Sequence, residues 1–296
     1  MRTTVVIVHR RQAQRCVATV AAFSAQQGVE PDMVVVDNGS PVTDLDLVRD
    51  RCPRTHLMEL GANTGFGPAA NVGLAAWLAS RADQEWVFLA PHDVEPAPDA
   101  LARLIEVGQE SDDVGLISAD VGDRSRQVFD PYFGGMTVAR DATETDPVLD
   151  VDYPHGTLLG ARRACLADIG LFDERYFAYC EEADLGARAR AHGWRVVLAT
   201  GVGVRNLSVS PGTPAIDYLQ QRNTIQLVAR HSGLYHASIR WLIAVGQLVR
   251  GVVDPSARGY IFHPAARVRA LFDVVRGRTG PPPVGMVSGG AGGAAA

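Results

Sequence analysis

The sequence predicts an α/β protein built on a mostly parallel, doubly wound sheet. Two observations carry that expectation. Strand-like and helix-like stretches alternate four times over residues 3–107, the pattern of βα units stacked into one sheet. The strand-like stretches are continuous β-branched and apolar runs, which suit strands buried on both faces. With 296 residues, 47% of them apolar, the chain has material for one large or two modest domains with a real core.

In order, residues 3–8 form the first strand, and Val17, Val20, Ala21 and Ser24 recur at helical spacing over residues 13–25. Residues 33–36 form a second strand, stopped by the turn residues Asp37-Asn38-Gly39-Ser40. A weaker strand at 56–60 leads into Gly61-Ala62-Asn63-Thr64-Gly65-Phe66-Gly67-Pro68 and a helix at 69–79. The fourth strand, 85–90, ends in Pro91-His92-Asp93-Val94-Glu95-Pro96, with a helix at 99–107 and another strand at 114–118. Residues 120–152 are polar and irregular, and 154–163 carry a further apolar run. Open parallel sheets bind ligands beyond the carboxyl ends of their strands. There the chain delivers His9, Asp37, the Asn63 to Gly67 loop and His92-Asp93. Acidic groups after a second strand and glycines in the next loop suit a nucleotide.

The stretch GLFDERYFAYCEEADLGARARAHGW, residues 170–194, combines a turn, an aromatic extended segment at 176–179 and a helix opened by Cys180-Glu181-Glu182-Ala183-Asp184. Acidic residues in a first helical turn suit the helix dipole. Asp184 has Arg188 at i+4 and reads as structural, whereas Glu181 and Glu182 face Leu185 and Gly186. A carboxylate without a cation behind an aromatic wall is a candidate general base. Tyr176, Tyr179, Phe172, Phe177, Trp86 and Trp194 read as packing residues, and His155 as a polar rim residue before it reads as a second base.

Composition excludes several classes. No GxGxxG follows the first strand, which disfavours a dinucleotide enzyme, and a chain without lysine has no P-loop lysine. The four cysteines show no CxxC spacing, and the N-terminus has no signal-peptide core. A cytoplasmic protein is expected, without nucleic acid as a partner. No apolar run reaches membrane-spanning length. Charge is uneven: of 28 arginines and 33 acids, residues 233–278 hold seven arginines but only Asp254 and Asp273.

Five pieces in this order and spacing resemble the family 2 glycosyltransferases of the GT-A fold, in their bacterial rhamnosyltransferase-like branch. They are VVVDNGS (34–40), NTGFGPAANVG (63–73), FLAPHDVEP (88–96), the 170–184 stretch and Arg222-Asn223. The likeness covers residues 3–233. It implies inverting transfer of a sugar from a nucleotide diphosphate, a dTDP- or UDP-sugar with dTDP-rhamnose as one case, in cell-wall or natural-product glycosylation. It further implies Asp37 on the donor base or ribose, Asn63 and Gly65 beside the nucleotide, Gly156 near the donor sugar, and Asp93 as the metal-binding end of a DxD motif. Glu182 would be the base, supported by Glu181 and Asp184, with His9, Asn71, His92, Arg205 and Arg222 completing the donor site.

Two positions depart from the family pattern. Pro91-His92-Asp93 stands where a full DxD is usual, and Arg205-Asn206 where a later His is usual. Mg²⁺ or Mn²⁺ held by Asp93 and the donor diphosphate is one solution; Arg205 and Arg222 neutralising the leaving group is the other, and weak metal dependence is the expectation.

Residues 238–253 and 265–275 read as two helices, apolar and basic. They fit an interfacial pair at the inner membrane face beside a lipid-linked acceptor, or a hairpin packed on the catalytic domain or across a homodimer; packing is preferred. The expected organisation is a GT-A catalytic domain at 1–233, a basic helical C-terminal extension at 234–277 and a disordered tail at 278–296. The acceptor class stays open among carbohydrate, lipid-linked and small-molecule hydroxyls. The competing readings are a catalytically degenerate nucleotide-sugar binder and another nucleotide-using α/β transferase. A retained EEAD cluster argues against the first, and the lack of a basic glycine-rich loop after the first strand against the second.

Overall fold

The computed structural model describes residues 1–122, 126–132, 137–139, 146–207 and 212–287. Strand β1 (Arg2–His9) carries the β-branched run, and its side chains alternate between two cores, Val5 and Ile7 entering one and Val6 and Val8 the other. A strand apolar on both faces needs cover on both.

That cover comes from the units that follow: α1 (Ala13–Ser24), β2 (Glu30–Asp37), α2 (Val42–Arg51), β3 (His56–Glu59), α3 (Phe66–Ser80), β4 (Trp86–Pro91), the short β5 (Val94–Pro96), α4 (Ala100–Gln109) and β6 (Val114–Asp120). After them come the short β7 (Arg126–Val128), β8 (Thr137–Ala139) and β9 (Val148–Asp150), then β10 (Leu159–Arg162), α5 (Arg163–Ile169), α6 (Glu181–Ala191) and β11 (Arg195–Asn206). Phe23, Val48, Leu101 and Leu104 fill one core; Leu74, Trp77, Leu166, Leu185 and Ala189 fill the other. Each large apolar side chain so buried contributes about 1.5–3 kcal/mol, so two helix layers clamp the sheet from opposite sides.

The sheet runs in the order β3-β2-β1-β4-β10-β6-β11-β5, with β9 on β11. Strands β1, β2, β3 and β4 are mutually parallel, and β11 is parallel to β6. Strand β10 runs against both its neighbours, with Leu159 opposite Leu89 of β4 and Ser118 of β6. It therefore begins at the edge where β4 and β6 end, which brings residues 154–158 to that edge.

The chain divides into two compact units. The first, Met1–Val128 with Val138–Asp173 and Glu182–Val209, holds the sheet. The second comprises Phe129–Thr137, Glu174–Glu181 and Ser210–Ala296. Its backbone is α7 (Pro214–Val253), kinked where Gly233 takes φ 87°, followed by α8 (Pro264–Val275) and the single turn α9 (Val284–Val287). Ile225, Val228, Ala244, Leu248 and Leu271 form its core. Buried Asp217 accepts from Arg267, and buried Asp273 accepts from Tyr218 and Arg269.

Several expectations change. The boundary expected at Gly233 coincides with the kink where the two helical stretches of α7 meet, both of them in the second unit. The tail expected to be disordered from 278 is held as far as α9. The carbonyl oxygens of Arg278 and Gly280 accept from Gln226 and Arg222, and the Gly280 N–H donates to Arg175; residues 288–296 lie outside the described residues. The aromatic segment at 176–179 is a series of bends instead of an extended run, with Tyr179 and Cys180 at positive φ (69° and 75°). Such left-handed non-glycine residues cost on the order of 1–3 kcal/mol each and mark sites fixed by their surroundings. Among the described residues no helix is long and apolar enough to cross a membrane, and the four cysteines are free and buried.

Candidate active site

Because β3, β2, β1 and β4 are parallel neighbours, their carboxyl ends share one edge, where His9 pairs in register with Asp37 and Val8 with Pro91. The Asp37 carboxylate is 1% exposed and consumed locally. Its Oδ2 accepts from the Gly39 and Ser40 backbone N–H groups at 3.1 and 3.0 Å, and its Oδ1 meets His9 Nδ1 at 3.0 Å. Burial holds His9 below its ordinary pKa. The neutral ring gives its Nδ1 proton to Asp37 and accepts from the Gln12 N–H at Nε2. Asp37 and His9 therefore build the turn; they do not present a free carboxylate.

The turn is tied to the next loop by Asn38, which is buried. Its amide donates to Asn63 Oδ1 (3.1 Å) and to the Gly65 carbonyl (2.9 Å), and its oxygen accepts from the Thr64 backbone N–H at 2.7 Å. Gly65 then takes φ 103° before α3 opens. A Cβ on Gly39 would lie 2.6 Å from the Ala62 carbonyl carbon. One side chain thus fixes two backbone loops side by side.

After β4, His92 places its Nδ1 on the Val8 carbonyl at 3.2 Å and stands edge-on to His9 at 5.5 Å. Burial and the neighbouring His9 lower its pKa, and among the described residues its buried Nε2 has no hydrogen-bond partner. Asp93 is 9% exposed, and among the described residues its carboxylate enters no ion pair.

The acidic helix is fixed from three sides. Arg188 donates to Asp184 at 2.8 Å and to the carbonyls of Ile169 and Leu171 at 2.6 and 2.7 Å. From α3, Asn71 brackets the Phe172 backbone, donating to its carbonyl at 2.9 Å and accepting its N–H at 3.0 Å. Gly186 lies so close to the 152–153 backbone that a Cβ would sit 2.6 Å from the Asp152 carbonyl oxygen. Within this frame Asp184 is wholly buried on Arg188. Glu182 carries no such cation among the described residues, and desolvation pushes its pKa above the ordinary carboxylate value. Its Oε1 occupies the space beside Gly156, 2.1 Å from where a Cβ would be. Gly156 precedes antiparallel β10 and so belongs to the edge where β4 delivers His92 and Asp93.

The family model "Glycosyltransferase like family 2" matches residues 1–224. The chain belongs to this family. It is a GT-A glycosyltransferase. It is 28% identical over 242 residues, 71% of this chain and 79% of the relative, to an N-acetylglucosaminyl-diphospho-decaprenol L-rhamnosyltransferase of Mycobacterium tuberculosis. Among solved structures, the mannosyltransferase PcManGT from Pyrobaculum calidifontis, in complex with GDP-Man and Mn²⁺, superposes with a TM-score of 0.60 at 18% identity, covering 93% of this chain and 87% of that one. TarS of S. aureus gives 0.52 at 17% identity, over 85% of this chain and 44% of the length of TarS.

In this glycosyltransferase several residues expected to hold the donor make hydrogen bonds within the fold. Arg222 is fully buried in the second unit, stacked on Tyr218, with its nitrogens on Asn223 Oδ1, the Tyr218 hydroxyl and the Gly280 carbonyl. Buried there, the guanidinium presents no exposed N–H fork to a phosphate. Its neighbour Asn223 donates to the carbonyls of Ala178 and Tyr179, so this pair shapes the chain entering α6. Arg205 is ion-paired to Glu95 across β11 and β5. Asn71 is spent on Phe172, and Asp184 on Arg188. Glu181 is buried and belongs to the second unit. The organiser missed in the sequence is Asn38, although the DNG turn was its signal.

Among the described residues no cluster of three or more His, Cys, Asp or Glu forms a ready metal site. The donors present still fit a divalent ion completed by phosphate oxygens: a buried carboxylate without an ion pair in Asp93, and an unpartnered Nε2 in adjacent His92.

Proposed function

We propose that the chain transfers a hexose, with inversion, from a dTDP- or UDP-sugar to a hydroxyl of a lipid-linked acceptor, with Glu182 as general base. The supporting observation is the state of Glu182: a desolvated carboxylate without a cation among the described residues, beside Gly156, on an α6 made rigid by Arg188. A general base works best when its pKa is drawn toward the working pH, and burial moves Glu182 that way. Deprotonated Glu182 accepts the acceptor hydroxyl proton while the oxygen forms its bond to the anomeric carbon. The carbon–oxygen bond to the donor diphosphate breaks, and its electron pair leaves with the diphosphate.

Asp93, with His92 beside it, would hold Mg²⁺ or Mn²⁺ together with the donor phosphates; such an ion compensates charge on the departing diphosphate. Asn38 keeps the two nucleotide-side loops together, with Asn63 and Gly65 lining that side. Asp37 and His9 support the turn from below. Rhamnose is the sugar to try first and a diphospholipid the acceptor to try first, on the strength of the M. tuberculosis relative's name. Contact with an inner membrane face through residues 238–276 suits such an acceptor.

A thermal-shift screen of nucleotide-sugars tests the donor, since a ligand at a hundredfold its dissociation constant adds about 2.7 kcal/mol. Incubating the hit with a diphospholipid-linked sugar should add one hexose to the acceptor by mass spectrometry. Absence of both binding and transfer across dTDP-, UDP- and GDP-sugars would refute the reading.

A further inference from the structure

The second unit contains a cavity of about 860 Å³, within the roughly 300–1,000 Å³ typical of small-molecule sites. Ile225, Trp241 and Leu242 of α7 and Val274 and Val275 of α8 give it an apolar wall. It opens outward, because Leu234 and Leu242 are 81% and 62% exposed. Both formal charges in its lining, Arg175 and Arg230, are positive.

Of fifteen exposed large apolar side chains among the described residues, eleven fall between Leu234 and Val284, and three of these, Leu234, Leu242 and Val275, line the cavity. Arg240, next to Trp241 in the chain but outside the cavity lining, is 5% exposed, and among the described residues its Nε and Nη1 have no hydrogen-bond partner. The kink at Gly233 lies within the stretch of α7 that lines the cavity, so the wall is built from both halves of the helix.

We infer that this cavity takes the hydrocarbon chain of a lipid-diphosphate acceptor, with its anionic head toward the arginines. The inference rests on the glycosyltransferase reading above and names the acceptor's second point of attachment. Apolar walls reward burial of a chain at about 25 cal/mol per Å², and a lining without acids favours an anionic head. The segment supplying Arg175 and Tyr176 continues along the chain into α6 and Glu182.

Trp241 is a built-in reporter. Dodecyl phosphate brominated at the chain end should quench its fluorescence saturably, with the quenching lost in Trp241→Phe and absent with inorganic pyrophosphate. Filling the cavity by Ala229→Phe should weaken that binding by about tenfold or more and raise KM for a lipid-linked acceptor, while donor hydrolysis and transfer to a chain-free acceptor stay at wild-type rates. No quenching in the wild type overturns the inference whatever the enzyme transfers. Equal quenching by brominated phosphatidylglycerol vesicles overturns it in favour of a bilayer surface, and tighter binding after deletion of residues 288–296 overturns it in favour of the chain's own tail. Saturable quenching without sugar transfer to any acceptor would instead count against the transferase reading alone.

Discussion

Gly156 and Glu182 share one small volume: the Glu182 Oε1 lies 2.1 Å from where any Cβ on residue 156 would sit. The glycine is required by that approach and not by its backbone angles. A methyl group there forces the carboxylate aside while leaving β10 and α6 intact. Gly156→Ala should therefore lower kcat by roughly 10²-fold, the cost of a misplacement on the order of 1 Å, with little change in donor affinity. Steady-state kinetics and a donor-binding isotherm measure the two halves, and an unchanged kcat would separate Glu182 from the chemistry.

Glu182→Gln should remove roughly 10²–10⁴-fold of kcat and yet make the protein more stable at pH 8. Desolvation raises the folded-state pKa of Glu182. Folding therefore favours its protonated form, and stability falls as pH rises from the unfolded value through the folded one. Above that window the wild type folds with an unfavourable, partly desolvated charge that glutamine lacks. Melting curves should show the variant ahead at pH 8 and the difference vanishing toward pH 4. The same raised pKa moves the acidic limb of the wild-type kcat profile above the usual carboxylate range, because the base works only when deprotonated.

The parallel strands were readable in the sequence because burial on both faces leaves an uninterrupted apolar signature, as in β1 and β4. Helix α2 was not, since its buried face rests on Leu45 and Val48 amid Asp44, Asp46, Arg49 and Asp50. The acidic helix and its Asp184–Arg188 pair follow from i, i+4 spacing alone. What spacing does not carry is which polar residues are consumed by the fold. Asn71, Arg222 and Asp37 look like ligands in a motif and prove to be brackets for Phe172, Gly280 and the Gly39-Ser40 turn. The partners of Asn71 and Arg222 lie far away in the chain, 101 residues for Asn71 and Phe172 and 58 for Arg222 and Gly280, beyond any local pattern.

Asn38 is the residue whose loss should separate donor binding from catalysis. It makes hydrogen bonds to Asn63, Thr64 and Gly65 from a buried position. At about 0.5–1.5 kcal/mol each, with added cost for partners left unsatisfied, Asn38→Ala should destabilise the protein by about 2–4 kcal/mol. The loop after β3 is then released from the turn after β2. KM for the nucleotide-sugar should rise more than kcat falls, and chemical denaturation with initial-rate kinetics would reveal both.

Metal dependence turns on which positive charge meets the leaving diphosphate. Arg222 has every guanidinium nitrogen committed within the second unit, and Arg205 is paired with Glu95. Arg222 is closed off by burial and Arg205 sits in an exposed pair, while Asp93 keeps a carboxylate without an ion pair among the described residues. Dependence on a divalent ion is therefore the expected behaviour. Transfer should stop in excess EDTA and return with Mn²⁺ or Mg²⁺, and Asp93→Asn should weaken Mn²⁺-dependent stabilisation by the nucleoside diphosphate in a thermal melt. Arg205→Gln should keep full metal dependence with kcat reduced less than about tenfold, since an exposed ion pair contributes only about 0–1 kcal/mol. Turnover that survives EDTA in the wild type and is lost in Arg205→Gln would return the leaving-group role to the arginine.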